Sequence, residues 1–259
     1  MPTHAKKSLG QNFLVNPHIL DKIVATAEVS KEDIIVEIGP GTGNLTKKLA
    51  EKAKQVIAVE KDRELAENLR KNFKDKLNLE VIEADILKWT PQIGDYKIAA
   101  NIPYYLTSNL IRKIFEEWPK SKLIVLTIQK EVAERIVAKP PHMNLLALSV
   151  QYYSEPKIVG VISKNNFRPI PKIDSAIIRL NPKSQIANSE QTEEMFKIIK
   201  VGFSEKRKQL ASVLAKRFKL SKDKISNIFK KSGLDDKVRA ENLSLEDWKR
   251  LSEEDILKR

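Results

Sequence analysis

Short apolar runs alternate with amphipathic stretches through the first two thirds of this chain, and that alternation restricts the fold more than any other feature. Ile34-Ile35-Val36-Glu37-Ile38, Val56-Ile57-Ala58-Val59-Glu60, Leu79 to Ile82, Lys97 to Ala100 and Leu123 to Ile128 read as buried strands. Between them lie helical patterns: Asn44 to Lys52; Leu65, Leu69 and Phe73; Leu110, Ile111, Ile114 and Phe115; and Val132 to Val137. Such repetition predicts an α/β fold, a Rossmann-like parallel sheet with helices on both faces. Lys157 to Ile162 and Ser175 to Leu180 read as further strands. Their short connection, Phe167-Arg168-Pro169-Ile170-Pro171, suits an antiparallel sheet edge.

After Asn181-Pro182 the pattern changes. A polar stretch to Gln191 reads as a linker, and only helical spacing follows, with Phe196, Ile199 and Phe203, then Leu210, Leu214 and Phe218, then Ile225, Ile228 and Phe229. The expected organisation is a ligand-binding catalytic domain over 1–182 and a small all-helical domain over 183–259. Both parts are basic, and the net charge of +13 favours an anionic partner such as RNA. No cysteine is present, which excludes thiolate metal sites and a cysteine nucleophile. Three scattered histidines (His4, His18, His142) offer no metal-ligand spacing, so no metal is expected. No apolar run is long enough to span a bilayer and the N-terminus lacks a signal-peptide core, so a cytoplasmic protein is expected. No exposed apolar stripe demands a dimer, and a monomer is the expected state.

Glu37-Ile38-Gly39-Pro40-Gly41-Thr42-Gly43-Asn44 lies between the first strand and its helix, where glycines let a ligand approach the backbone. Dinucleotides and S-adenosylmethionine both use such a turn. The dinucleotide fingerprint needs a sixth-position glycine, and Asn44 stands there. Glu37 and the later carboxylates instead suit a zwitterionic or cationic ligand. Glu60 ends the second strand, where it can accept from both ribose hydroxyls, and Asp85 follows the third, where it can accept from an adenine amino group. With Asn101 these groups fall at the carboxyl ends of successive strands, which favours S-adenosylmethionine.

Asn101-Ile102-Pro103-Tyr104 should open at the mouth of the fourth strand, where ligands of open sheets gather. A side-chain amide, a proline-fixed carbonyl and an aromatic face can hold a flat amino group while its nitrogen attacks an electrophile. The Asn101 side-chain oxygen and the Pro103 carbonyl would accept its two N–H bonds, with the Tyr104 ring beside the flat group.

These motifs resemble the S-adenosylmethionine-dependent ribosomal RNA adenine N6,N6-dimethyltransferases of the kasugamycin-sensitivity type. The resemblance runs nearly end to end, through Lys7-Ser8-Leu9-Gly10-Gln11-Asn12-Phe13-Leu14, Val36 to Gly43, Glu60-Lys61-Asp62, Ala84-Asp85-Ile86, Asn101 to Tyr104, Phe167 to Ser175 and Phe203 to Leu210. It implies cofactor contacts at Asn12, Leu14, Gly39, Gly41, Glu60, Asp85 and Asn101, and a target-base pocket formed by Asn101 to Tyr104 with Phe167. It also implies dimethylation of two adjacent adenosines in a hairpin loop near the 3′ end of small-subunit (16S) rRNA, a pre-30S particle as partner, and a role in ribosome biogenesis. Ile102 and Tyr105 depart from the small-subunit pattern, and isoleucine at 102 is familiar in macrolide-resistance methylases of large-subunit RNA. Two other readings stay open: methylation of another planar amine, and a ribosome-assembly or nucleic-acid-binding factor without turnover. Lys6, Lys7, Lys206-Arg207-Lys208, Lys216-Arg217 and Lys230-Lys231 are the candidate RNA contacts.

Overall fold

The computed structural model describes residues 11–184 and 189–254. His4, Lys6 and the Lys7 to Gly10 part of the N-terminal motif therefore lie outside the described residues. The chain divides into two units, residues 1–134 with 154–182, and residues 135–153 with 183–259.

The first unit is a seven-stranded sheet. Its strands are β2 (Ile34–Ile38), β3 (Gln55–Glu60), β4 (Leu79–Glu83), β5 (Tyr96–Asn101), β6 (Leu123–Gln129), β7 (Ser154–Ile162) and β9 (Ser175–Pro182), in the order β4-β3-β2-β5-β6-β9-β7. Pairing is parallel from β4 to β6, and β9 is antiparallel to both β6 and β7. Interior strands such as β3, β5 and β6 are buried on both faces, which is why they read as apolar runs and not as alternating ones. The edge strand β4 is only half-buried. From β2 the chain steps outward to β3 and β4, then crosses back to β5 on the other flank of β2. That reversal opens a crevice beyond the carboxyl ends of β2 and β5.

Helices α1 (Pro17–Thr26), α2 (Asn44–Lys52), α3 (Arg63–Asn72), α4 (Thr107–Glu116) and α5 (Lys130–Ile136) follow in chain order. Asn16 caps α1 by accepting from the His18 and Ile19 N–H groups, and Asp62 caps α3 in the same way. A separate two-stranded ribbon joins β1 (Phe13–Leu14) antiparallel to β8 (Phe167–Arg168), with Phe13 opposite Arg168 and Leu14 opposite Phe167. This ribbon and α1 were not foreseen in the sequence.

The second unit contains α6 (Leu145–Tyr153), α7 (Ser189–Ser204), α8 (Leu210–Phe218), α9 (Lys222–Lys231) and α10 (Leu245–Ser252). Its core gathers Leu148, Tyr152, Ile199, Leu210, Leu214, Phe229 and Trp248. Residues 135–153 therefore depart from the division at 182. Ala147, Leu148 and Tyr152 of α6 bury in the helical core, and the Tyr152 hydroxyl lies 2.6 Å from Thr192 Oγ1. Helix α7 also begins at Ser189, inside the stretch read as linker. Among the described residues no helix is long and apolar enough to cross a membrane, and no His, Asp and Glu group is placed to hold a metal ion.

Candidate active site

The glycine turn between β2 and α2 forms the floor of a cleft at the strand-order reversal. Gly41 adopts φ +59°, a left-handed conformation, and a Cβ there would strike the Phe13 ring at 2.8 Å. Only glycine lets the β1–β8 ribbon lie this close over the turn. A Cβ on Gly39 would sit 3.7 Å from Pro103 Cδ, so the loops leaving β2 and β5 meet here. The cleft holds roughly 1000 Å³ of empty space including its open mouth, the upper end of what small-molecule sites enclose. Its lining brings together Asn12, Leu14, Gly39, Gly41, Glu60, Asp85, Asn101, Pro103 and Tyr104.

Three carboxylates define its electrostatics. Glu60 is 6 % exposed, and its two oxygens accept from the backbone N–H groups of Gly41 (3.0 Å) and Asp62 (2.9 Å). These bonds orient the carboxylate while leaving lone pairs for a ligand's hydroxyls. Burial raises its pKa despite them. Asp85 accepts from Leu87 N–H at 3.0 Å and pairs with Lys61 at 2.9 Å, and the Lys61 hydrogen bond holds its carboxyl below the usual range. Glu37 is fully buried in the cleft wall, with Oε2 lacking any partner among the described residues. Burial pushes its pKa up to about 8, helped by the nearby Glu60 charge.

At the β5 mouth, Asn101 Nδ2 donates to the Asn12 carbonyl at 3.1 Å. That bond assigns the amide orientation and leaves Oδ1 as an acceptor. Pro103 starts a tight turn in which its carbonyl accepts from Leu106 N–H at 3.0 Å. The Ile102 carbonyl is engaged by no donor among the described residues. The Tyr104 hydroxyl is fixed 2.7 Å from Ser175 Oγ on β9. Tyr105 stands at the mouth, 55 % exposed.

Phe167, expected in the target-base pocket, does not line the cleft. The side chain is 0 % exposed and packs with Leu14, Leu20 and Ile23 in the core beneath the ribbon. In the ribbon Phe167 pairs with Leu14 and both are buried, while Phe13, whose side chain alternates to the other face, lines the cleft beside Leu14. Phe13 is the aromatic residue of the ribbon that reaches the site. Asn44, which the sequence marks only as a break in the dinucleotide pattern, also shapes the site. Its Nδ2 donates to the Leu14 carbonyl at 2.9 Å, tying the ribbon to α2, and the signal available was its place where the dinucleotide pattern has glycine.

Comparison with known proteins places this geometry. The ribosomal RNA adenine dimethylase family model matches residues 3–256. The chain is 42% identical over 253 residues to the ribosomal RNA small subunit methyltransferase A of Dehalococcoides mccartyi (strain CBDB1), covering 95% of this chain and 87% of that one. A dimethyladenosine transferase from Plasmodium falciparum superposes with a TM-score of 0.79 at 31% identity, over 92% of this chain and 95% of that one. The 23S rRNA methyltransferase ErmE does so with a TM-score of 0.79 at 27% identity, over 93% and 98%. The match spans both units and every cleft residue, and the chain belongs to the ribosomal RNA adenine dimethylase family.

Proposed function

We propose that this protein methylates the N6 amino group of two adjacent adenosines in a hairpin loop near the 3′ end of small-subunit rRNA, twice each, with S-adenosylmethionine as donor. The carrying observation is the Asn101 amide, held by the Asn12 carbonyl so that its oxygen is free for an amino group. The family match and the small-subunit relatives support the substrate class.

The cleft fits the cofactor. Glu37 presents an unpartnered buried carboxylate oxygen suited to an ammonium group. Glu60 is oriented for ribose hydroxyls, and Asp85, Asn12 and the ribbon residue Leu14 are left to flank the remaining nucleoside. When bound, S-adenosylmethionine supplies a methyl group already activated by its sulfonium.

The adenine nitrogen is a poor nucleophile because its lone pair is delocalised into the ring. Asn101 Oδ1 and a backbone carbonyl of Ile102 or Pro103 accept its two N–H bonds, which favours a pyramidal nitrogen and directs the lone pair. Ile102 offers the freer carbonyl, since the Pro103 oxygen already takes Leu106 N–H. Tyr104, its hydroxyl anchored on Ser175, gives the base a ring to stack on. Alignment supplies most of the acceleration, and no base need remove the proton before attack. The partner is a pre-30S particle, and the protein works as a cytoplasmic monomer. Incubation with labelled S-adenosylmethionine and immature small or large subunits, with mapping of dimethyladenosine, is the test. Product on the small subunit alone is expected; product on the large subunit alone would move the protein to the resistance-type activity.

A further inference from the structure

We infer that Arg168 is a built seat for one phosphate of the substrate RNA, beside the nucleotide being methylated. This assignment rests on the RNA reading above and adds a residue to it.

Arg168 is the direct antiparallel partner of Phe13, so the two side chains share a face of the ribbon. Phe13 lines the cleft, while the opposite face, Leu14 and Phe167, is buried. Arg168 is exposed and shares its face of the ribbon with the cleft-lining Phe13. Its guanidinium is not left to wander. Nη1 donates to the Asn165 carbonyl at 2.9 Å and to the Phe167 carbonyl at 2.7 Å, which uses both Nη1 hydrogens. Nε and Nη2 find no acceptor among the described residues, and no carboxylate pairs with the side chain. The open edge is the two-donor fork that matches a phosphate, and fixing it in advance lowers the ordering cost of binding.

The surroundings agree. Lys164 and Lys172 are exposed on the same connection between β7 and β9, whose acid, Asp174, is turned to the Lys164 backbone N–H at 2.9 Å. This connection ends at Ser175, in hydrogen-bond contact with Tyr104. It thus runs from the ribbon, whose Phe13 lines the cleft, to the serine that anchors Tyr104. A strand of RNA delivering a flipped base to Tyr104 would pass beside it.

The experiment compares wild type, R168Q and R168K in three measurements: KM and kcat on the small subunit, salt dependence of RNA binding, and calorimetric affinity for S-adenosylhomocysteine. For R168Q we expect KM for RNA to rise about ten-fold, with kcat and S-adenosylhomocysteine affinity within two-fold. The slope of log affinity against log salt should shrink by about 0.7–0.9, the loss of one phosphate contact. R168K should restore the slope but only part of the KM, because it keeps charge and lacks the fork. An unchanged KM and slope would overturn the assignment. So would a loss of S-adenosylhomocysteine affinity matching the loss for RNA, which marks Arg168 as a prop for the ribbon. A wild type that methylates neither subunit defeats the proposed reaction instead, and the salt slopes still decide the phosphate seat.

Discussion

Glu37 illustrates what a single residue contributes and how far sequence could go with it. Its acidity and place near the end of β2 were legible, but its protonation state depends on burial that only the packed sheet creates. With a pKa of about 8 the carboxyl is largely protonated at neutral pH. An ammonium group brought beside it favours the carboxylate. Ligand binding at pH 7 should therefore release close to one proton, read from calorimetry in buffers of different ionisation enthalpy, and E37Q should release none. Equal values in the two proteins would refute this. The same shift sets a stability trend. The folded pKa lies above the ordinary 4.5, so between these values the folded state holds more protons than the unfolded one. This group's contribution is thus fully present below about 4.5 and is lost as pH rises toward 8. Urea unfolding at pH 5 and pH 8 should show a smaller fall for E37Q than for wild type. At Asn101 the expectation concerns rate. N101A should lower turnover on the order of 100-fold or more, as when one transition-state hydrogen bond is removed. Its RNA affinity should stay within a few-fold; turnover near that of wild type would dismiss the proposed acceptor.

Among the elements, legibility followed burial. Strands β3, β5 and β6 are covered on both faces, so their sequences are uninterrupted apolar runs that announce a parallel sheet. The β1–β8 ribbon has two residues per strand, too few to show any periodicity, and its partners lie far apart in the chain. Phe167 was misplaced for that reason: which way it faces is decided by pairing with Leu14, a tertiary fact. The ribbon's dependence on it can be measured. F167A should cost about 3–5 kcal/mol of stability, the usual toll of emptying a buried aromatic site. F167L should retain most of the stability and nearly all turnover, because an aliphatic side chain still fills the core. If Phe167 instead stacked on the base, F167L would fold normally and lose much of its rate, an outcome that kcat at saturating RNA separates cleanly.

At the scale of the whole molecule, the change of pattern after Pro182 was visible, yet the composition of the helical unit was not. Helix α6 is apolar on most of its surface, so neither its length nor its periodicity says which core receives it, and its place in the chain between two strands points to the wrong one. Packing resolves the matter, since Ala147, Leu148 and Tyr152 join Ile199, Leu214 and Trp248. A fragment ending at Pro182 therefore keeps α6 without α7 to α10 and exposes side chains of which the large ones are each worth about 1.5–3 kcal/mol on burial. That fragment should aggregate or bind a hydrophobic dye. Replacing residues 135–153 in it by a short glycine-serine linker removes the exposed helix while leaving every residue of the cleft, all of which lie between Gln11 and Leu106. The edited fragment should be monodisperse in light scattering and bind S-adenosylhomocysteine within a few-fold of the full chain. If the simple truncation behaves as well as the edited one, α6 does not depend on the helical core, and the division of the chain at residues 135–153 is wrong.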